Sequence, residues 1–230
     1  MVKKIEQQRD DLIGVDVGGT FTDIIRFDQK TGKILLAKVP STSKNQAFGV
    51  MNAISAVKSQ LSNVAMIIHG TTTTTNAVLE RKLSRTGLIT TKGFRDCLEL
   101  GRRTRPQPYG MKGHFVPIVP RDLRVEVDER MDFAGRVISP LDESAVRLAG
   151  ERLLKSGVES LVIHFLHSYA NPEHELRAAA ILAEFWPNDF VTMGHSLLSE
   201  SREFERGVTA AVNASVQPIL KKYIRKLVEE

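Results

Sequence analysis

The chain has 230 residues, 42% hydrophobic and 26% charged, with a net charge of +5; this is enough apolar sequence to bury one or two cores, and it excludes global disorder and low complexity. The single cysteine, Cys97, excludes a disulfide scaffold and a cysteine-rich zinc site, and no apolar run reaches the roughly 20 residues of a bilayer span. Residues 1–11 form a charged tail without the apolar stretch of a signal peptide, and Asp122, Glu126 and Asp128 interrupt the basic series Arg102, Arg103, Arg105, Lys112, Arg121 and Arg124, so the expected setting is soluble, reducing and cytoplasmic, with neither a membrane nor a nucleic acid as partner.

Residues 12–17 are a short apolar run, which predicts a buried strand. Gly18 and Gly19 turn the chain into 21–27, and a second turn over 29–32 leads into 33–39. Connections this short demand antiparallel pairing, so three strands are expected in a meander. After a breaker at 40–43, Ala47, Val50, Met51, Ile54 and Val57 recur at helical spacing. Residues 64–68 read as a strand, 71–75 as a polar loop, 76–82 as a short helix and 86–90 as another strand. The stretch 101–120 holds Pro106, Pro108, Pro117 and Pro120, and reads as a long functional or flexible loop. A strand is expected over 123–130, a helix over 142–155 and a buried strand over 160–166. Asn171, Pro172 and Glu173 open a further helix that ends near Trp186 and Pro187, and 190–193 is the last strand. Residues 201–230 are helical, with Pro218 expected to kink or break the helix. The order of elements is that of an α/β fold. The chain stops on Glu229 and Glu230, without a glycine cap and with the wrong charge for the helix dipole; the expectation is the N-terminal piece of a longer polypeptide.

Two stretches carry chemistry. In Ile13-Gly14-Val15-Asp16-Val17-Gly18-Gly19-Thr20-Phe21-Thr22-Asp23 a strand delivers a carboxylate, turns on two glycines and leaves on a second strand. Gly18 and Gly19 let backbone amides approach an anion, and Thr20 and Thr22 add hydroxyls. Asp16 is suited to hold Mg²⁺ through water, because Mg²⁺ takes oxygen ligands and keeps several waters. An ordinary β-hairpin has the same outline, but Asp-x-Gly-Gly-Thr between two strands is more specific than a lone glycine-rich loop. In the second stretch, Ile67-Ile68-His69-Gly70-Thr71-Thr72-Thr73-Thr74-Thr75-Asn76, a strand passes through a glycine and hydroxyl-rich loop into a helix. Gly70, Thr71, Thr72 and Asn76 would offer amides and hydroxyls to an anion or polar substrate; a threonine-rich strand end with N-capping is the plainer reading. His69 suits either a cleft-facing catalytic role or a packed one.

The first stretch resembles the first phosphate motif of the actin-like (ribonuclease H-like) ATPases, and the meander followed by alternating helices and strands resembles the first half of that fold. With the second stretch, the chain is similar to the N-terminal region of the hydantoinase A/5-oxoprolinase family from Leu12 onward. The similarity includes Thr86-Gly87-Leu88-Ile89-Thr90-Thr91-Lys92-Gly93-Phe94-Arg95-Asp96, Gly101-Arg102-Arg103-Thr104-Arg105-Pro106, Leu166-His167-Ser168-Tyr169-Ala170-Asn171-Pro172 and the segment 199–218. The resemblance implies an N-terminal domain over 12–195 and the start of a following hydantoinase A-type domain over 196–230. It implies an enzyme that uses ATP and Mg²⁺ to open cyclic amides such as hydantoins or 5-oxoproline, with a hydantoinase B-type subunit or fused domain as partner. Asp16 and His69 would be catalytic, Asp16 would organise the metal, and Gly18, Gly19, Thr20, Thr22, Gly70, Thr71, Thr72 and Asn76 would line the nucleotide. Relatives in acetone and acetophenone carboxylases leave a carboxylase subunit as the alternative, and a non-catalytic half that binds a partner chain as another. The sequence carries no second Asp-x-Gly-Gly-Thr, so the adenosine pocket and half of the phosphate cradle are not expected in this chain.

The remaining candidates have plainer readings beside them. Arg202, Glu203, Glu205 and Arg206 read as a solvated, salt-bridged turn; the resemblance adds a substrate-positioning role for Arg202 and Glu205. Arg102 and Arg103 suit a carboxylate or another anion, or simply a basic loop. His164 and His167, three apart on a strand, are expected on opposite faces, while His167, His174 and His195 are free to converge at strand ends without any known ligand spacing. Cys97, beside Phe94 and Leu98, reads as packing.

Overall fold

A computed structural model describes residues 10–42, 46–101, 109 and 116–229. The chain divides into two compact units, residues 1–82 with 219–230, and residues 83–218. In the first unit, strands β1 (Asp11–Val17), β2 (Phe21–Asp28) and β3 (Ile34–Pro40) form the expected antiparallel meander. Helix α1 (Gln46–Ala56) crosses back to β4 (Val64–Thr71), which pairs parallel to β1, and α2 (Thr73–Leu79) follows. The sheet order is β3-β2-β1-β4.

Strand alternation sorts the two faces of this sheet. Ile13, Val15, Val17 and Ile24 are buried with Val50, Ala53 and Ile54 of α1, and Leu227 packs against the same cluster. On the other face the register aligns Leu36, Ile25, Gly14 and Ile68 in one row, and Lys38, Asp23, Asp16 and Gly70 in the next. These residues line an open concavity of ≈ 790 Å³.

The threonine run departs from the expected loop. Thr71 still belongs to β4 and Thr73 already opens α2. The β-branched side chains suit the strand, and the Thr71 hydroxyl accepts from Thr73 N–H at 3.2 Å, so little loop is needed between the two elements.

The second unit contains β5 (Thr86–Thr91), a single turn α3 (Cys97–Leu100), β6 (Arg124–Val127), the ribbon β7 (Arg130–Met131) and β8 (Val137–Ser139), α4 (Glu143–Lys155), β9 (Ser160–His164), α5 (Glu173–Ala183), β10 (Val191–Met193), a turn α6 (Gly194–Leu197) and the long α7 (Glu203–Glu229). Its sheet has the order β10-β9-β5-β6 and is wholly parallel. Parallel sheets are covered on both faces, and every residue of β5 and β9 is buried. Leu88, Ile89, Leu161 and Ile163 form the core with Val146, Leu153, Ala178, Leu182 and Trp186 of the α4 and α5 region.

Three boundaries move from expectation. The strand expected over 123–130 is two short strands, because β6 leaves the parallel sheet before Arg130 begins the ribbon. Strand β9 ends at His164; the amides of Phe165 and Leu166 turn to side-chain oxygens, Glu175 Oε1 at 2.9 Å and Thr91 Oγ1 at 3.0 Å, instead of backbone carbonyls of a neighbouring strand. His167 therefore lies beyond the strand, with φ of 58°, and the alternation argument does not reach it. Pro218 sits inside α7 rather than breaking it. On the turn before it, Ser215 O accepts from Ser84 N–H at 3.0 Å and from the Ser84 hydroxyl at 2.9 Å.

Candidate functional site

The Asp-x-Gly-Gly-Thr stretch is the β1–β2 hairpin. Its turn closes with Gly18 N–H donating to Phe21 O at 3.0 Å. A Cβ on Gly18 would stand 3.1 Å from that same carbonyl, so a side chain there would press on the turn. The Gly18 amide is thus engaged within the hairpin, whereas the sequence assigned it to an anion. Gly19 and Thr20 are exposed at the tip.

Asp16 is exposed near the C-terminal end of β1, level with Gly70 on β4. A Cβ on Gly70 would lie 3.2 Å from Asp16 Oδ1, so glycine leaves the carboxylate its space. The chain end of β4 is tied to β1 by Thr72 N–H donating to Val17 O at 3.3 Å. Asn76 Nδ2 donates to Thr72 Oγ1 at 3.2 Å, and a Cβ on Gly19 would lie 3.7 Å from the same Asn76 nitrogen. Asp16, Gly19, Thr20, Gly70, Thr72 and Asn76 therefore gather where β1, β4 and α2 meet.

Thr22, His69 and Thr71 lie elsewhere. Thr22 pairs with Val17 and is fully buried on the α1 face. The Ser41 hydroxyl donates to Gly18 O at 2.8 Å; its single hydrogen being used, Thr22 donates to Ser41 Oγ at 3.0 Å. This ties β3 to the hairpin. His69 pairs with Val15 and so shares that strand's α1 side, not Asp16's. There it meets Tyr223 of α7: Nε2 is 2.6 Å from the phenol oxygen and the rings stack with centroids 5.5 Å apart. Burial holds the His69 imidazole below its ordinary range, against a weaker pull from Asp16. Tyr223 is raised by burial, with the Thr71 hydroxyl opposing. Tyr223 is 154 residues from His69, and no local pattern announces the pair.

The second unit holds the other candidates. Arg202 is exposed and 4.0 Å from Glu200, a surface pair. Glu205 is half-buried, its carbonyl accepting from Thr209 Oγ1 at 2.8 Å. Arg102 and Arg103 lie outside the described residues. Arg206 departs from the solvated turn expected of its neighbourhood: it is 0% exposed. Its guanidinium donates to Glu200 O at 2.6 Å and Phe165 O at 3.2 Å and lies over the Tyr169 ring.

Beside it, Glu175 is fully buried and accepts from Phe165 N–H, His195 N–H at 3.0 Å and His195 Nδ1 at 2.6 Å. Burial pulls its carboxyl up, but the His195 and backbone bonds bring it below its ordinary value. Glu129 likewise takes His174 Nδ1 at 2.8 Å and the Thr91 hydroxyl. The histidines are thus held singly by carboxylates. Among the described residues no group of three or more His, Cys, Asp or Glu side chains could hold a metal ion, and no helix is long and apolar enough to cross a membrane. Cys97 is half-buried, its thiol pushed up to about 11, chiefly by burial, which fits packing rather than nucleophilic chemistry.

The family described as "Hydantoinase/oxoprolinase N-terminal region" matches residues 12–186. The chain is 32% identical to caprolactamase subunit alpha of Pseudomonas jessenii, over 94% of this chain and 32% of that one. It is 33% identical to the acetophenone carboxylase gamma subunit of Aromatoleum aromaticum, over 89% of this chain and 31% of that one. The chain thus spans about a third of the length of these curated relatives. The crystal structure of ATP-dependent caprolactamase from Pseudomonas jessenii superimposes with a TM-score of 0.83 at 32% identity, covering 94% of this chain and 33% of that one. A nucleotide-free acetone carboxylase structure does so with 0.82 at 27% identity, covering 96% and 34%. The fold is accordingly the first half of an actin-like ATPase, with its antiparallel meander and alternating helices and strands.

Proposed function

Since the chain belongs to the hydantoinase/oxoprolinase family, we propose that it is the phosphate-binding N-terminal part of an ATP-dependent enzyme that opens cyclic amides. The observation that carries this reading is the exposed Asp16 carboxylate at the end of β1, beside the glycine hairpin and the glycine-cleared end of β4.

The residues suit the groups implied. A Cβ would fill the space beside Asp16 Oδ1 at Gly70, and Mg²⁺ favours an oxygen ligand such as Asp16 with its remaining sites on water. Gly19, Thr20, Thr72 and Asn76 would face the phosphates from the hairpin tip and the start of α2. When bound, ATP supplies a phosphoryl group that makes a carbonyl oxygen a better leaving group. This chain's residues position and neutralise charge. Cyclic amides are favoured by the likeness to caprolactamase, and a partner subunit by the subunit designations of the relatives.

A ketone carboxylase subunit is the second reading, favoured by the likeness to acetophenone and acetone carboxylases. The assay is ATP hydrolysis by the native polypeptide with its partner, given hydantoin, 5-oxoproline or caprolactam, or bicarbonate with a ketone. Ring opening coupled to ATP use supports the proposal; bicarbonate-dependent turnover with the ketone alone decides for the second reading. Asp16→Asn is expected to lower kcat at least about 100-fold, from lost metal organisation. An Asp16→Asn enzyme with full activity would sink the metal assignment.

A further inference from the structure

We infer that Tyr223 is a positioning residue of the nucleotide site, holding the end of β4 through a directed chain of hydroxyls that terminates on His69. The inference rests on the reading of Asp16 and the hairpin as a phosphate site.

We read the chain of bonds in the direction that ends on a bare His69 Nε2. A neutral imidazole has one bare nitrogen, and the Tyr223 oxygen stands 2.6 Å from His69 Nε2. The Thr71 hydroxyl bonds to the same phenol, and Thr71 Oγ1 and Thr73 Oγ1 are 2.7 Å apart. Each hydroxyl has one hydrogen to give. With His69 accepting at Nε2, Tyr223 donates to it, Thr71 donates to Tyr223, and Thr73 donates to Thr71. Thr71 Oγ1 also accepts from Thr73 N–H, which fits its role as acceptor at that end. Burial of His69 opposes the imidazolium, which leaves one ring nitrogen bare. The ionisable groups bearing on His69 are Tyr223 from α7 and Asp16 from β1.

The position of this chain gives it a consequence. Thr71 and Thr73 flank Thr72, whose amide ties β4 to Val17 and whose hydroxyl accepts from Asn76. Gly70, on the other side, abuts Asp16. Tyr223 is only 7% exposed and keeps its stacked ring against His69, so the phenol is fixed before it fixes anything else. Residues 219–229, far away in sequence, thereby set the side chains that border the candidate phosphate site. A hydroxyl network that is fully satisfied rigidifies the segment it ties.

The test uses the native polypeptide with selectively ¹⁵N-labelled histidine and measures ATP affinity beside it. In the wild type, His69 is expected as a single tautomer, Nδ1 protonated and Nε2 bare. Tyr223→Phe keeps the ring and removes the hydroxyl. It is expected to abolish the fixed tautomer and weaken ATP binding by about five- to tenfold. Thr71→Val, of similar shape, is expected to weaken ATP comparably while His69 keeps its tautomer. Tautomer and affinity both unchanged in Tyr223→Phe would overturn the inference. So would a lost tautomer with unchanged ATP affinity, which would make the contact purely structural. If the wild type itself binds no ATP, the phosphate-site reading fails and the positioning role with it, a result distinguishable because it needs no variant.

Discussion

His164 makes the stability of the second unit depend on pH. The imidazole ends β9, fully buried among Gly194, Gly207 and Glu175, and burial pushes it from 6.5 down to about 4, against the pull of Glu175. Between these values the unfolded chain binds a proton that the folded chain refuses, so stability falls as pH drops through 6.5 and the loss is complete below about 4. Integrating that difference gives a loss of about 2 kcal/mol at pH 5 relative to pH 8, and about 3 kcal/mol in full. Glu175 adds a loss of the same sign only as pH falls through its ordinary value of 4.5 toward its lower folded one, so pH 5 separates His164 from that carboxylate, and the variant separates it from His69, whose lowered imidazole acts in the same window. The assay is urea unfolding followed by fluorescence of the chain's single tryptophan, Trp186, which lies in the core of this unit. His164→Leu removes the titration. A Cβ on Gly194 would stand only 2.7 Å from His164 Nδ1, so leucine will shift absolute stability through packing; the readout is the difference between pH 8 and pH 5. Equal pH dependence in wild type and variant would refute the reasoning.

Two further substitutions probe the same unit. Gly150 lets α4 approach α5: a Cβ there would meet Leu182 Cδ2 at 2.5 Å and Phe185 Cζ at 2.8 Å. Gly150→Ala is therefore expected to cost about 1–3 kcal/mol in urea unfolding, and a neutral result would mean the helices part freely. Arg206→Met leaves Phe165 O and Glu200 O without their donor and removes the cation beside Glu175 and Glu203. A loss of about 2–4 kcal/mol is expected; stability within about 0.5 kcal/mol of wild type would show that the guanidinium is dispensable there.

What a residue's near neighbours dictate is legible in the sequence. Short glycine turns impose antiparallel pairing, so the β1–β2–β3 meander and its Asp16 hairpin follow from local chemistry. The helices α1, α4 and α5 follow from apolar spacing and breakers, to within a few residues. The threonine run reads as a loop because five like residues carry no periodicity, and only pairing with β1 decides where the strand stops.

The candidate site is legible as a set of residues but not as an arrangement. Asp16, Gly19, Gly70, Thr72 and Asn76 converge because β4 pairs parallel to β1 in one register, and a slip of one residue would take Gly70 away from Asp16. The β1–β2 and β1–β4 registers place Thr22 and His69 on the α1 side, where they bond to Ser41 and Tyr223. Arg206 reads as a surface charge until Phe165 and Tyr169 close over it. Pro218 reads as a kink or break of the helix, and α7 runs on through it. By itself the sequence determined which segments pair or coil, since those preferences act over a few bonds. Which face of each segment is covered, and hence whether a polar group meets solvent or a buried partner, was decided by elements distant in sequence, because burial is a property of everything that packs around a residue.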